Sequence, residues 1–343
     1  MRRSTLAITL LTGLVSLGST VQAREYNLQS AFPKNLLIVG EAAEYFSQRL
    51  AAVTNGAIRF KHLGAGELSP PFEIIDNVGS GAIPAGWSYA PFVAGKAPAA
   101  NLFGSIPFGP DAAKYMAWMY HGGGLELWRE TYAKFNVVPF PCGAILSEAG
   151  GWLRKPISTP ADLKGLKMRI GGLGGQILAR AGGSPQNIPP GEIFTALQTG
   201  RLDGAELSNP AADLAVGLDK AARYYYFPGW HQPSGMTELH INKKVWDSFT
   251  EAQRIAIDMA CRDTTFWAYS KASGEQQSAL DELRKRGVNV LRFPEPVLQA
   301  LRKAADELYA ELSGKDAQFK KVLESYRAYS KVYDEYRALN RLD

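Results

Sequence analysis

The chain has 343 residues, 46% of them hydrophobic and 21% charged. These proportions fit a globular chain large enough for two or three lobes, and they exclude disorder, collagen, coiled-coil fibres and disulfide scaffolds. Lys and Arg number 38 against 33 Asp and Glu, a net +5, and the basic residues are scattered, so no nucleic-acid partner is expected.

In chain order, residues 1–23 read as an export signal. Arg2 and Arg3 form a positive start, Leu6 to Leu17 an apolar core, and Val21-Gln22-Ala23 a small-x-small cleavage pattern. The apolar stretch is too short to span a bilayer. The Arg2-Arg3 pair hints at the twin-arginine route, but without the rest of that motif ordinary secretion is expected. The mature chain then starts at Arg24 with 36 basic and 33 acidic residues, and its expected place is the periplasm.

Tyr26 to Gln29 reads as a strand. Glu41 to Thr54 has helical spacing (Ala42, Tyr45, Phe46, Leu50, Val53) and stops at Asn55-Gly56. Ile58 to Leu63 alternates apolar and polar as a half-buried strand does. Ser69 is expected to cap the next helix, with Pro70 at its first position and Phe72, Ile75 and Val78 on one face. Asp111 to Phe135 reads as one helix, Pro139 to Leu146 as a strand. Thr159-Pro160 opens a short helix before the strand Leu166 to Ile170. Gly191 to Thr199 is a helix closed by Gly200, and Leu202 to Ser208 and Met236 to Asn242 are strands. Thr250 with Gln253 forms a capping box for a helix that runs to about Lys285. Val288 to Phe293 is a last strand, and Glu295 to Asn340 is almost wholly helical. Alternating strands and helices predict an α/β chain of two lobes that share a long helix. Cys142 and Cys261 either bridge or stay as two buried thiols, and the second reading is adopted.

Catalytic motifs are missing. His121-Gly122-Gly123-Gly124 resembles an oxyanion-hole segment, yet no G-x-S-x-G accompanies it. There is no S-x-x-K, and the four histidines (His62, His121, His231, His240) never form H-E-x-x-H. Gly172-x-Gly174 starts a dinucleotide fingerprint whose third glycine falls on Ile177. A binding protein is therefore expected ahead of an enzyme.

Four segments carry a family resemblance: Gly150 to Ile157, Asp162 to Arg169, Glu192 to Glu206, and Tyr226-Phe227-Pro228-Gly229-Trp230-His231-Gln232-Pro233. Together they resemble the solute-binding subunits of TRAP (tripartite ATP-independent periplasmic) transporters, and the last resembles the branch that binds 2-oxo acids and lactate. The resemblance implies a two-lobed periplasmic-binding-protein clamshell closing on a small organic acid, which is delivered to a membrane permease. It implies that Arg169 grips the carboxylate, and a planar guanidinium can do so through two parallel hydrogen bonds. It also implies a cation held by the Glu206 side chain, the Leu207 carbonyl and the Gln232 side chain, with Glu148 touching both acid and ion. Oxygen ligands of this kind suit Na⁺ or Ca²⁺.

The chain departs from that pattern at three positions. Glu148 stands where a glutamine is expected, and Gln232 where a glutamate is expected. The two exchanges cancel in charge. Leu207 replaces an expected tryptophan, which removes an aromatic wall. Further pocket candidates are Trp87, Tyr89, Trp152, Gln176, Asn187 and Asn209, of which Tyr89 and Asn209 join Glu148 and Arg169 as the substrate-contacting set.

The expected division is lobe I at 24–147 plus 233–250, lobe II at 148–232 plus 287–314, the connecting helix at 250–286 and a C-terminal helix at 315–343. Val322, Tyr326, Tyr329, Tyr333 and Tyr336 make a stripe on that last helix. It either docks on its own lobe or, as in some similar proteins of the branch, packs on a second subunit to form a homodimer. Competing readings are a periplasmic metal-dependent lyase or hydrolase acting on a similar acid, and a sensor subunit presenting the acid to a receptor.

Overall fold

The computed structural model describes residues 24–340, so the expected export signal at 1–23 lies outside the described residues. Strand β1 (Arg24–Ser30) leads to α1 (Glu41–Val53), β2 (Ile58–Leu63), α2 (Ile74–Gly79), β3 (Ala85–Ser88) and α3 (Asn101–Gly104). Helices α4 (Ala112–His121) and α5 (Gly124–Tyr132) precede β4 (Val137–Ile145). The chain then crosses into β5 (Gly151–Leu153), β6 (Lys167–Arg169), α6 (Gly172–Arg180), β7 (Ser184–Gln186), α7 (Ile193–Gln198), β8 (Gly204–Ala205), α8 (Pro210–Val216) and β9 (Tyr224–Phe227). It returns as β10 (Gly235–Asn242) and α9 (Lys243–Asp247), followed by α10 (Glu251–Lys285), β11 (Asn289–Arg292), α11 (Glu295–Lys315) and α12 (Ala317–Leu339).

Two sheets result, ordered β2-β1-β3-β10-β4 and β11-β9-β5-β8-β6-β7. The chain passes between them at 146–150 and again at 228–234. The outgoing segment is laced to the returning one and to the strand before it: the Glu148 N–H donates to the Gln232 carbonyl at 3.1 Å, and the Gly150 N–H to the Tyr226 carbonyl of β9 at 2.7 Å. Their approach is so close that a Cβ on Gly229 would lie 2.2 Å from the Glu148 carbonyl oxygen. Only glycine fits there.

Helix α10 starts at the expected capping box, where Thr250 Oγ1 accepts from the Gln253 N–H. Its 35 residues span about 52 Å, and its buried stripe runs through Ile257, Cys261, Thr264, Ala268, Ala272 and Leu283. The helix packs on β4 and α1 of the first sheet's layer and on α8 of the second's, so it is shared by both lobes of an α/β clamshell. Lys271 Nζ reaches Glu41 at 2.6 Å on one side. On the other side the Ala211 N–H donates to Gln276 Oε1 at 3.1 Å.

Several expectations need correction. Ser69 does not cap a helix; its hydroxyl accepts from Asn77 Nδ2 at 2.7 Å, and Pro71–Glu73 form a 3₁₀ turn before α2. The segment from Asp111 to Phe135 breaks into α4 and α5 at Gly122-Gly123, with Gly123 at φ +86°. Asp316 splits the C-terminal run, because its carboxylate accepts from the Phe319 N–H at 2.7 Å and starts a new helix. Cys142 and Cys261 are not separate thiols. Packing of α10 across β4 brings their Cα atoms to 4.3 Å, and the two form a disulfide over 119 residues of sequence. Among the described residues no helix is long and apolar enough to cross a membrane.

Candidate functional site

The site is assembled from strand ends and crossing segments. Strands β6 and β8 run parallel with Arg169 opposite Ala205. Glu206 therefore emerges one step beyond the strand end, beside Arg169, at the carboxyl edge where α/β sheets leave a crevice. Glu148 comes from the outgoing crossing segment and His231 and Gln232 from the returning one. Tyr89 follows directly after β3, so it arrives from the first sheet. These residues line one cleft, together with Phe32, Leu36, Phe92, Asn101 and Leu207 among others.

Arg169 and Glu206 are buried and paired: Arg169 Nη1 lies 2.6 Å from Glu206 Oε1. The same nitrogen donates to the Glu206 carbonyl at 3.1 Å, and Arg169 Nε donates to the Ile188 carbonyl at 3.3 Å. The two-nitrogen grip that the sequence suggested is therefore not free. Nη2 is the guanidinium nitrogen without a hydrogen-bond partner among the described residues, and it offers two N–H groups. His231 Nε2 sits 3.2 Å from Glu148 Oε2 and 3.8 Å from Glu206 Oε2. The Tyr89 hydroxyl donates to Gln232 Oε1, and Ser105 Oγ donates to the His231 carbonyl at 3.1 Å.

Electrostatics follow from this crowding. Burial pushes the Glu148 carboxyl well above the usual range, and Glu206 and Asp213 push it further while Arg169 opposes them. Burial likewise holds His231 below its ordinary value, so the imidazole is neutral at pH 7. Tyr89 is raised well above the phenol range, first by burial and then by Glu148, so its proton stays in place to donate. Behind the site, Asp213 accepts from Trp152 Nε1 at 2.8 Å, the Tyr225 hydroxyl at 2.7 Å and the Ser208 N–H at 3.1 Å. Its carboxyl is nonetheless raised to about 7, chiefly by burial. Glu148, Glu206 and His231 bring one ligand atom each within 4.8 Å of one another.

Of the residues singled out from sequence, Glu148, Arg169, Tyr89, Glu206, Leu207 and Gln232 converge on the cleft. Asn209 does not. It is the N-cap of α8, with Oδ1 accepting from the Ala212 N–H and Pro210 at the first helical position. Trp87 and Trp152 are fully buried core residues: Trp87 Nε1 donates to the Val39 carbonyl at 3.1 Å, and Trp152 stacks on Tyr225. Gln176 and Asn187 are exposed and do not line the cleft. Sequence reasoning missed His231 as a site residue, although its neighbour Gln232 was chosen. It also missed Asn101, for which no sequence signal exists.

The profile of the DctP family, bacterial extracellular solute-binding protein family 7, matches residues 30–316. A monocarboxylate 2-oxoacid-binding periplasmic protein of Nostoc sp. is 35% identical over 329 residues, covering 94% of this chain and 90% of that one. A TRAP transporter solute-binding protein from Bordetella bronchiseptica superposes with a TM-score of 0.90 at 33% identity, covering 93% of this chain and 95% of that one. Its crystal is a mixed-occupancy dimer with calcium and picolinate in one site. A TRAP periplasmic solute-binding protein from Pseudoalteromonas atlantica, with bound sodium and pyruvate, gives 0.89 at 33% identity, with 93% and 97% covered.

Proposed function

The chain belongs to the bacterial extracellular solute-binding proteins of family 7, and from that premise we propose that it captures a 2-oxo or 2-hydroxy monocarboxylate with a sodium or calcium ion and delivers it to a TRAP membrane permease. The observation that carries this reading is the meeting of a guanidinium and two carboxylates in one buried cleft (Arg169, Glu206 and Glu148). Arg169 Nη2 supplies the donors for the acid's carboxylate. Tyr89 and the apolar wall of Phe32, Leu36 and Phe92 suit the rest of a small acid.

The donor chemistry fits a hard cation. Glu148 and Glu206 face the single buried guanidinium of Arg169, and burial with neighbouring carboxyls disfavours the charged form of Glu148; a cation in the cleft would stabilise both carboxylates as anions. Glu206, the Leu207 carbonyl and Gln232 would hold the ion, with Glu148 reaching both ion and acid. A bound ion would add a Lewis-acidic contact for a second oxygen next to the carboxylate, which would favour 2-substituted acids over plain fatty acids.

In this reading, lobe I is 24–147 plus 233–250 and lobe II is 148–232 plus 287–314. Closure about the laced crossing segments draws its free energy from ligand contacts. The protein works in the periplasm after loss of residues 1–23, a compartment in which the Cys142–Cys261 bridge persists. It binds without turnover. Thermal shift and calorimetry with pyruvate, lactate and longer 2-oxo acids, each with Ca²⁺ or Na⁺, test the proposal. Stabilisation by these acids, recovered chemically unchanged, is expected. No response to any of them, or conversion of the acid, would refute it.

A homodimer is part of the same reading. The near end of α12 docks on its own chain, with Tyr326 edge-on to Trp118, while Val332, Tyr336 and Leu339 at the far end are exposed. Removing the whole helix would strip Phe319, Val322 and Leu323 from the core. A Val332→Glu/Tyr336→Glu variant is the cleaner test: its mass in solution should fall from dimer to monomer. A wild-type monomer refutes the dimer.

A further inference from the structure

The trio Glu148, Glu206 and His231 can be read in two ways. Taken by distance alone, two carboxylates and an imidazole within 4.8 Å of one another make a mixed oxygen and nitrogen shell, which favours metals such as Zn²⁺. The other nitrogen of the imidazole decides against that. His231 Nδ1 is buried and meets no hydrogen-bond partner among the described residues. A histidine that binds metal through Nε2 must carry its proton on Nδ1, and ligating histidines almost always donate that N–H to a partner. Here that N–H would have no such partner. With the proton on Nε2, the ring donates to Glu148 Oε2 at 3.2 Å, and Nδ1 is left as a bare acceptor.

The returning segment fixes the ring in that pose. Ser105 Oγ holds the His231 carbonyl, the Gln232 carbonyl receives the Glu148 N–H, and Trp230 meets the His231 ring edge-on at 5.7 Å between centroids. Meanwhile Gln232 Oε1 already accepts from Tyr89.

We propose that His231 is a positioning residue that donates Nε2–H to Glu148, so that Glu148 and Glu206 are the two anionic ligands of the cation and the site stays all-oxygen. The inference rests on the cation-binding part of the reading above, and it can fail separately from it.

The test uses the mature chain stripped of metal, with no acid present and Ca²⁺ or Zn²⁺ alone as the probe in calorimetry. Glu148→Gln should weaken Ca²⁺ by about 100-fold or more, because ligand charge sets affinity in such sites. His231→Gln keeps a donor and should cost less than about 10-fold for either ion, whereas His231→Leu should cost about 10- to 100-fold for both. Should a variant unfold, nitrogen-15 spectra of the wild-type imidazole give an independent answer. The proton is expected on Nε2 before and after Ca²⁺. Three results would overturn the proposal: a proton on Nδ1 in the Ca²⁺-loaded protein, a selective loss of Zn²⁺ binding in His231→Gln, or unchanged Ca²⁺ affinity in Glu148→Gln. If Ca²⁺ binds with the expected pattern and pyruvate does not, the transport reading fails alone.

Discussion

Replacing Arg169 by alanine should do two separable things. The guanidinium is buried against Glu206 and holds the Ile188 and Glu206 carbonyls as well. Its removal leaves a buried carboxylate without its countercharge, which costs about 3–5 kcal/mol of stability. Adding Glu206→Gln removes the stranded charge, so the double variant should recover part of that loss. Acid binding behaves differently. The donor to the ligand's carboxylate is absent from both variants, and losing one partner of a buried charged pair costs about 2–5 kcal/mol, or roughly 30- to 5,000-fold in affinity. Urea unfolding of wild type, both single variants and the double variant gives the coupling between the pair. Calorimetry with pyruvate in saturating Ca²⁺ gives the binding loss. A stable Arg169→Ala protein with wild-type affinity would refute both the pairing and the grip, and rescue of affinity by Glu206→Gln would refute the grip alone.

Asp213 sets a pH dependence. Its folded value of about 7 lies above the ordinary 3.8, so the stability it contributes is full below about pH 4 and is lost as pH rises through about 7. The metal-free protein should lose on the order of 2 kcal/mol from this group between pH 5 and pH 8, a slope that Asp213→Asn should remove in urea titrations; identical slopes would discard the assignment. Exchanging Cys142 and Cys261 together for serine opens a loop of 119 residues and should cost about 2–5 kcal/mol, read as a lower melting temperature, and an unchanged melt would argue that the bridge adds nothing. Gly172 lines the cleft at φ +56°, and a Cβ there would sit 2.9 Å from Asn101 Oδ1 on the facing wall. Gly172→Ala should therefore weaken acid binding by about 10-fold with a smaller loss of stability; equal affinity would mean that the walls do not approach this closely in the bound state.

Local signals were readable wherever one short stretch sets the geometry. Thr250 and Gln253 announced α10 because a capping box is completed within four residues, and Ile58 to Leu63 announced β2 through its own alternation. Helix α6 stayed hidden because Gly172, Gly174 and Gly175 leave too few side chains to display a period. Strand β5 is three residues long and shows no alternation to detect. The cysteine bridge was unreadable for another reason, since it depends on α10 crossing β4. Asn209 was misassigned although the Asn-Pro pair is itself a helix-start signal. In the site, Arg169 and Glu206 were reached through the family resemblance. The pairing that consumes Nη1, and the side of the imidazole that faces Glu148, belong to packing between two crossing segments and could not be read from either one.

The Cys142–Cys261 bond turns the leading half of α10 into a fixed outrigger of the five-stranded sheet. The trailing half is held to the other sheet instead: Leu283 is buried with Trp152, Ile193 and Tyr225, and the Ala211 amide donates to Gln276. A swing of one half against the other, as the clamshell reading requires, would therefore have to bend the rod between the sulfur tie and that second anchorage.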